Sequence, residues 1–75
     1  MSTYKQMRMD FIMCMLRHYG QVSRVELCDM FGISEPQATR DFKDFDKENP
    51  LCAMYCQHSK KWVRGASFHL QQKEG

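Results

Sequence analysis

Long apolar runs, glycine-rich loops and a large excess of charge of either sign are all missing from this 75-residue chain. Nothing approaches the ~18 consecutive apolar residues of a membrane span. The longest near-continuous apolar run, Phe11 to Leu16, follows Asp10 and is too short for the core of a secretion signal. The expected setting is therefore the cytoplasm, with no membrane contact. Glycine and proline number only four and two, and no Gly-rich phosphate loop is present. Four cysteines without a secretory context do not make a disulfide framework. Cys14 and Cys28 fall in helical, apolar surroundings and are expected to behave as small hydrophobes. Cys52, Cys56 and His58 have the wrong spacing for a zinc knuckle, and a fourth ligand would have to come from Cys28 or His69. No metal site is expected. His18, His58 and His69 fall in separate elements with no nucleophile partner, so the chain does not read as an enzyme or as a cofactor carrier.

What is present is a globular profile: 43% hydrophobic and 27% charged residues. The length suits one small domain with a marginal core, expected over residues 1–70, with a polar tail at 71–75. The net charge of +2 is unevenly spread. Residues 35–49 hold five acids against three bases, whereas Lys60, Lys61, Arg64 and Lys73 face only Glu74 in the last third. Positive charge beside Tyr55 and Trp62 suits a local nucleic-acid contact better than a uniformly basic coat.

Thr3 to Tyr19 lacks glycine and proline and is rich in helix formers, with Gly20 placed to close the helix. Helical spacing puts Met9, Ile12, Met13, Leu16 and Tyr19 on one stripe. Tyr4, Met7, Phe11, Cys14 and Met15 form a second, nearly opposite, and a helix apolar on both sides must be covered on both. Met7, Phe11 and Met15 are accordingly the expected homodimer surface. The seven methionines read as core and interface filler. After a short extended link at Gln21-Val22, Ser23 and Glu26 form a capping box for a second helix reaching about Met30, with Val25, Leu27, Cys28 and Phe31 apolar. Ser34 caps a third helix with Pro36 in its first turn. There Ala38, Phe42 and Phe45 should face inward, and Gln37, Thr39, Arg40, Lys43, Asp44 and Lys47 outward. Asn49-Pro50 ends it. Leu51 to Gln57 and Lys61 to Arg64 then read as a two-stranded hairpin with a His58-Ser59-Lys60 tip, anchored by Tyr55, Trp62 and Val63.

A capped helix, a Phe31-Gly32-Ile33 corner and a second capped helix make a helix-turn-helix, whose second helix presents its N-terminal side chains to the major groove. The fold class is α+β: three helices followed by a two-stranded β-hairpin wing. Arg40 suits guanine or a phosphate, and Gln37 suits adenine. Ser34 and Thr39 suit phosphates near the helix start. Arg24 is placed as a phosphate clamp, Lys43 lies on the same outer face, and Ser59, Lys60 and Lys61 form the wing tip. The acids at Asp41, Asp44, Asp46 and Glu48 disfavour deep approach by the C-terminal half of the third helix.

Val22-Ser23-Arg24-Val25-Glu26-Leu27, Phe31-Gly32-Ile33-Ser34 and Gln37-Ala38-Thr39-Arg40-Asp41-Phe42 resemble the winged helix-turn-helix of DeoR-type regulators. The similarity is closest to the N-terminal domain of WYL-domain transcriptional repressors, a family that includes regulators of phage-defence islands. Tyr55 through Val63, with Ser59-Lys60-Lys61-Trp62 inside it, resembles that family's wing. The likeness covers about residues 8–68. It implies double-stranded DNA as partner and repression as activity. Those relatives continue into a ligand-sensing WYL domain that these residues do not contain, so no small-molecule effector is implied. The competing reading is a winged-helix adaptor that binds protein, which the modest net charge allows.

Overall fold

The chain solves its helical segments locally and leaves the sheet to long-range pairing. The structure, a computed structural model, describes residues 3–66 and Phe68. Helix α1 spans Thr3–Tyr19, as its composition predicts, and Gly20 closes it by donating to the Leu16 carbonyl at 3.0 Å. Helix α2 covers Arg24–Phe31. Its capping box is complete: Ser23 N–H donates to Glu26 Oε1 at 2.8 Å, and Glu26 N–H points at Ser23 Oγ. Gly32 ends α2 in the left-handed region (φ 65°), which glycine adopts without steric cost, and donates to the Cys28 carbonyl. Helix α3 runs Glu35–Glu48 behind the Ser34 cap, whose hydroxyl accepts from Gln37 N–H.

Ala53–Cys56 (β2) and Lys61–Arg64 (β3) form the expected hairpin, with Tyr55 opposite Trp62 and Cys56 opposite Lys61. Two details differ from the sequence reading. Gln21–Val22 is a strand (β1), not merely a link: it pairs antiparallel with β3, Val22 opposite Trp62, giving a three-stranded sheet of order β1-β3-β2. A two-residue strand carries no alternation to detect, so only its partner reveals it. Leu51 and Cys52 precede the first strand of the hairpin, because the chain turns there: Leu51 has φ 62° and is exposed, and Cys52 N–H donates to the Asn49 carbonyl. Gly65 closes against this turn, and a Cβ there would lie 2.3 Å from the Leu51 carbonyl oxygen.

The core joins α1, α2, α3 and the sheet. Ile12, Leu16, Val22, Leu27, Ala38, Phe42, Phe45 and Cys52 are buried, with Met9, Ala53 and Phe68. Phe42 stacks parallel on Trp62 at 5.2 Å between ring centres, which fastens β3 to α3. Several expectations about faces fail. Val25 and Tyr19 are exposed, because α2 and the first stripe of α1 bury narrower faces than their apolar residues cover, and Cys14, on the second stripe, is exposed as well. Burial does hold the Cys28 and Cys52 thiols above the ordinary thiol range. The polar tail at 71–75 lies outside the described residues.

Long-range polar contacts tie α1 to α3 and to β3. Arg8 on α1 grips Asp41 on α3 with two bonds, 2.5 Å from Nε to Oδ2 and 3.2 Å from Nη2 to Oδ1, and Asp41 has no exposed surface. Gln37 Nε2 adds a third bond to Asp41 Oδ1 at 3.0 Å. At the other end, Arg64 on β3 donates to the Leu16 and Arg17 carbonyls at 2.7 and 2.9 Å, closing the C-terminus of α1 where the helix dipole favours a cation. This basic side chain, counted with the basic last third of the sequence, is thus turned onto the fold itself.

Asp41→Ala strands Arg8 and should cost about 3–5 kcal/mol, most of the stability of so small a domain. Arg8→Met combined with Asp41→Leu should recover much of that loss in chemical denaturation, and equal loss in the single and double variants would refute the pairing argument. At the hairpin turn, Lys60 sits in the left-handed region with φ 59°. Lys60→Gly should relieve that strain and add about 0.5–1 kcal/mol, read as a rise in melting temperature, whereas Lys60→Ala should not.

Candidate nucleic-acid interface

The Ser34 cap, with Glu35 and Pro36 in the first turn, starts α3 cleanly and leaves its N-terminal end at the surface. Arg40 and Lys43 follow one turn apart on the exposed face, and neither side chain makes an ion pair or hydrogen bond among the described residues. Arg24, at the first position of α2, reaches across to α3, and its Nη1 donates to Thr39 Oγ1 at 3.2 Å. Arg24, Glu35, Pro36, Thr39, Arg40 and Lys43 line an open groove of about 410 Å³. Four of the residues singled out in the sequence therefore meet on one surface: Arg24, Thr39, Arg40 and Lys43.

The remaining expected residues lie elsewhere. Ser34 is exposed at the head of α3, with one lone pair of its hydroxyl taken by the cap. Gln37 is half-buried, and its amide is turned toward Asp41. Ser59 and Lys60 are exposed in the turn between β2 and β3, and Lys61 is half-buried at the start of β3. Ser59 also hydrogen-bonds Cys56, an interaction that draws the Cys56 thiol below its ordinary range. Met7 is exposed on α1, while Phe11 and Met15 are half-buried. Phe11 meets Phe31 edge-on at 5.6 Å. With Tyr19, Gln21, Glu26, Asp29 and Met30, Phe11 and Met15 border a second open groove of about 660 Å³ on the side formed by α1 and α2.

The acids of α3 do less to repel an anion than their number suggests. Asp41 is buried against Arg8. Asp44 accepts from Lys5 Nζ at 2.6 Å. That bond holds the Asp44 carboxyl below the usual carboxylate range and raises the Lys5 ammonium above its usual one. Both acids are thus matched by cations from α1, and the exposed middle of α3 presents Arg40 and Lys43. Asp46 and Glu48 stay exposed toward the C-terminal end. The sequence shows the acids but not their partners, because Lys5 and Arg8 lie more than 30 residues away in the chain.

A third hollow, of about 290 Å³, opens between α3 and the hairpin. Arg24, Thr39 and Lys43 form its polar wall, and Phe42, Tyr55 and Trp62 the aromatic one. Tyr55 leans on Trp62 at 5.5 Å while remaining 43% exposed. From the sequence, Tyr55 is expected as an anchor of the hairpin and as a neighbour of the basic segment. Its place beside two cations depends on how the hairpin folds over α3.

No described helix is long and apolar enough to cross a membrane. Among the described residues, no group of three or more histidine, cysteine or acidic side chains is gathered as metal ligands would be.

Comparison with known proteins agrees with this architecture. The chain is 44% identical over 46 residues to the DNA-binding transcriptional repressor CapW of Escherichia coli (strain KTE188), a match covering 61% of this chain and 15% of that protein. It is also 44% identical over 43 residues to the CapW repressor of Pseudomonas aeruginosa, covering 57% of this chain and 14% of that protein. The chain thus corresponds to only about one-seventh of the length of these curated relatives. The sequence model of the BrxR transcriptional regulator winged helix-turn-helix domain matches residues 5–75, nearly the whole chain, and the chain belongs to that family.

Proposed function

We propose that this domain binds double-stranded DNA with sequence preference and acts as a transcriptional repressor. The observation that carries the reading is the surface of α3. Arg40 and Lys43 are exposed and make no hydrogen bond or ion pair among the described residues, while α1 occupies the neighbouring acids Asp41 and Asp44. In this reading the N-terminal half of α3 enters the major groove. Arg40 contacts a base edge or a phosphate, and Gln37, oriented by Asp41, contributes beside it. Arg24, oriented by Thr39, addresses the backbone with Ser34 and Lys43, and Ser59, Lys60 and Lys61 follow the adjacent groove or strand. Membership of a regulator family and the names of the CapW relatives support repression. The regulated genes we propose are phage-defence genes, the setting to which the motif resemblance points.

One such module makes few phosphate contacts, so tight specific binding calls for two. We propose that the outer stripe of α1, with Met7, Phe11 and Met15, joins two copies and sets half-sites about 34 Å apart.

The first experiment is selection of bound sequences from random duplex DNA, followed by binding of the variants at several salt concentrations. Arg40→Ala should cost about 1–3 kcal/mol and relax preference at one position. Lys60→Ala should weaken all sequences alike and reduce the salt slope by about one. Indifference to both changes would favour the protein-binding adaptor. Sedimentation should show dimers on DNA that Phe11→Glu abolishes, and monomers at high concentration with and without DNA would remove the dimer.

A further inference from the structure

We propose that the hollow between α3 and the hairpin is a seat for a single DNA phosphodiester, with the Tyr55 hydroxyl as a neutral donor to it. The inference rests on the DNA-binding reading and deepens it. If α3 lies in the major groove and the wing in the adjacent minor groove, the sugar–phosphate strand dividing the two grooves must pass between α3 and the wing. The structure has an opening at that place. It is lined by Arg24, Thr39, Phe42, Lys43, Tyr55 and Trp62 and holds about 290 Å³, room for one backbone unit rather than a stretch of strand.

The lining matches that ligand. Two cations, Arg24 and Lys43, stand on one wall, and neither is paired with an acid among the described residues. The other wall is aromatic, so an anion placed between them is partly shielded from water and its hydrogen bonds gain strength. The aromatic wall is built by the parallel stack of Phe42 on Trp62, which ties β3 to α3, and by Tyr55 lying against Trp62, its partner across the β2–β3 ladder. Thr39 belongs to this seat as a positioning residue. Its hydroxyl oxygen accepts from Arg24 Nη1 at 3.2 Å, which directs the guanidinium of α2 toward α3 and the seat. Thr39 therefore acts through Arg24, and the neutral contribution comes from Tyr55.

The test uses the 75-residue chain and a duplex recovered by selection, with methylphosphonate linkages placed one at a time along each strand. Wild type should lose affinity most sharply at one linkage per bound module, beyond the smaller losses at the other contacted phosphates. Tyr55→Phe should bind the unmodified duplex about tenfold more weakly with an unchanged salt slope, because a neutral donor releases no counterion. It should also lose less than wild type when that one linkage is neutralised. Lys43→Met should lower the salt slope by about one, and Thr39→Val should weaken binding while Thr39→Ser restores it. Melting curves of the free variants establish that each remains folded. Wild-type affinity in Tyr55→Phe, with Arg40→Ala still impaired, would overturn the seat and leave the DNA-binding reading intact. Failure of wild type to hold any duplex at low salt would overturn both. Saturable binding of adenosine monophosphate in the seat, detected by Trp62 fluorescence and lost in Tyr55→Phe, would assign it to a free nucleotide and overturn the backbone role.

Discussion

A carboxylate with no exposed surface must be satisfied where it stands, and Asp41 is satisfied from two directions. Arg8 of α1 supplies a forked pair of bonds, and Gln37, one turn earlier on α3, supplies another. The geometry of a guanidinium fork is rigid and planar. It therefore adds a directional constraint on the angle and register of α3 against α1 to the apolar packing of Phe42 and Phe45. Such a pair adds little net stability over a hydrophobic substitute. In this fold it joins α1 to the helix that carries Arg40 and Lys43.

The same contact shapes the electric field of the surface. Burying Asp41 and engaging Asp44 with Lys5 leaves a run of α3 where cations are exposed and acids are occupied. The domain reaches a usable positive patch with a net charge of only +2. Arg64 follows the opposite course. It sits in the most basic third of the chain, yet it closes the end of α1 and lies over Phe68. Counting charges along the chain therefore misjudges both regions, overstating the acidity of α3 and the availability of the basic end.

The helices were legible because their signals are local. Ser23 with Glu26, Ser34 with Pro36, and Gly20 and Gly32 at the helix ends act within four residues of the turns they define. The inward face of α3 was legible for the same reason, since Ala38, Phe42 and Phe45 repeat at helical spacing. Asp41 lies on that inward face, but its charge hid it: a carboxylate reads as solvent-facing until a partner is found. The candidate site was legible in part. Arg24, Thr39, Arg40 and Lys43 were named from helix position and meet on one surface, whereas the hollow that Tyr55 shares with Arg24 and Lys43 was not foreseen. Alternation in a four-residue strand gives two faces without telling which one covers a helix.

The order of the three helices, their caps and the identity of the exposed bases on α3 are thus properties of short stretches, set by backbone hydrogen bonding and a 3.6-residue repeat. Long-range contacts determined the rest. Val22 became part of a sheet only on meeting Trp62. Asp41 and Asp44 were matched only by residues of α1. The aromatic hollow arose only where β3 stacked on Phe42. Each of these joins residues far apart in the chain, whose proximity depends on how the whole core closes and is written in no local pattern.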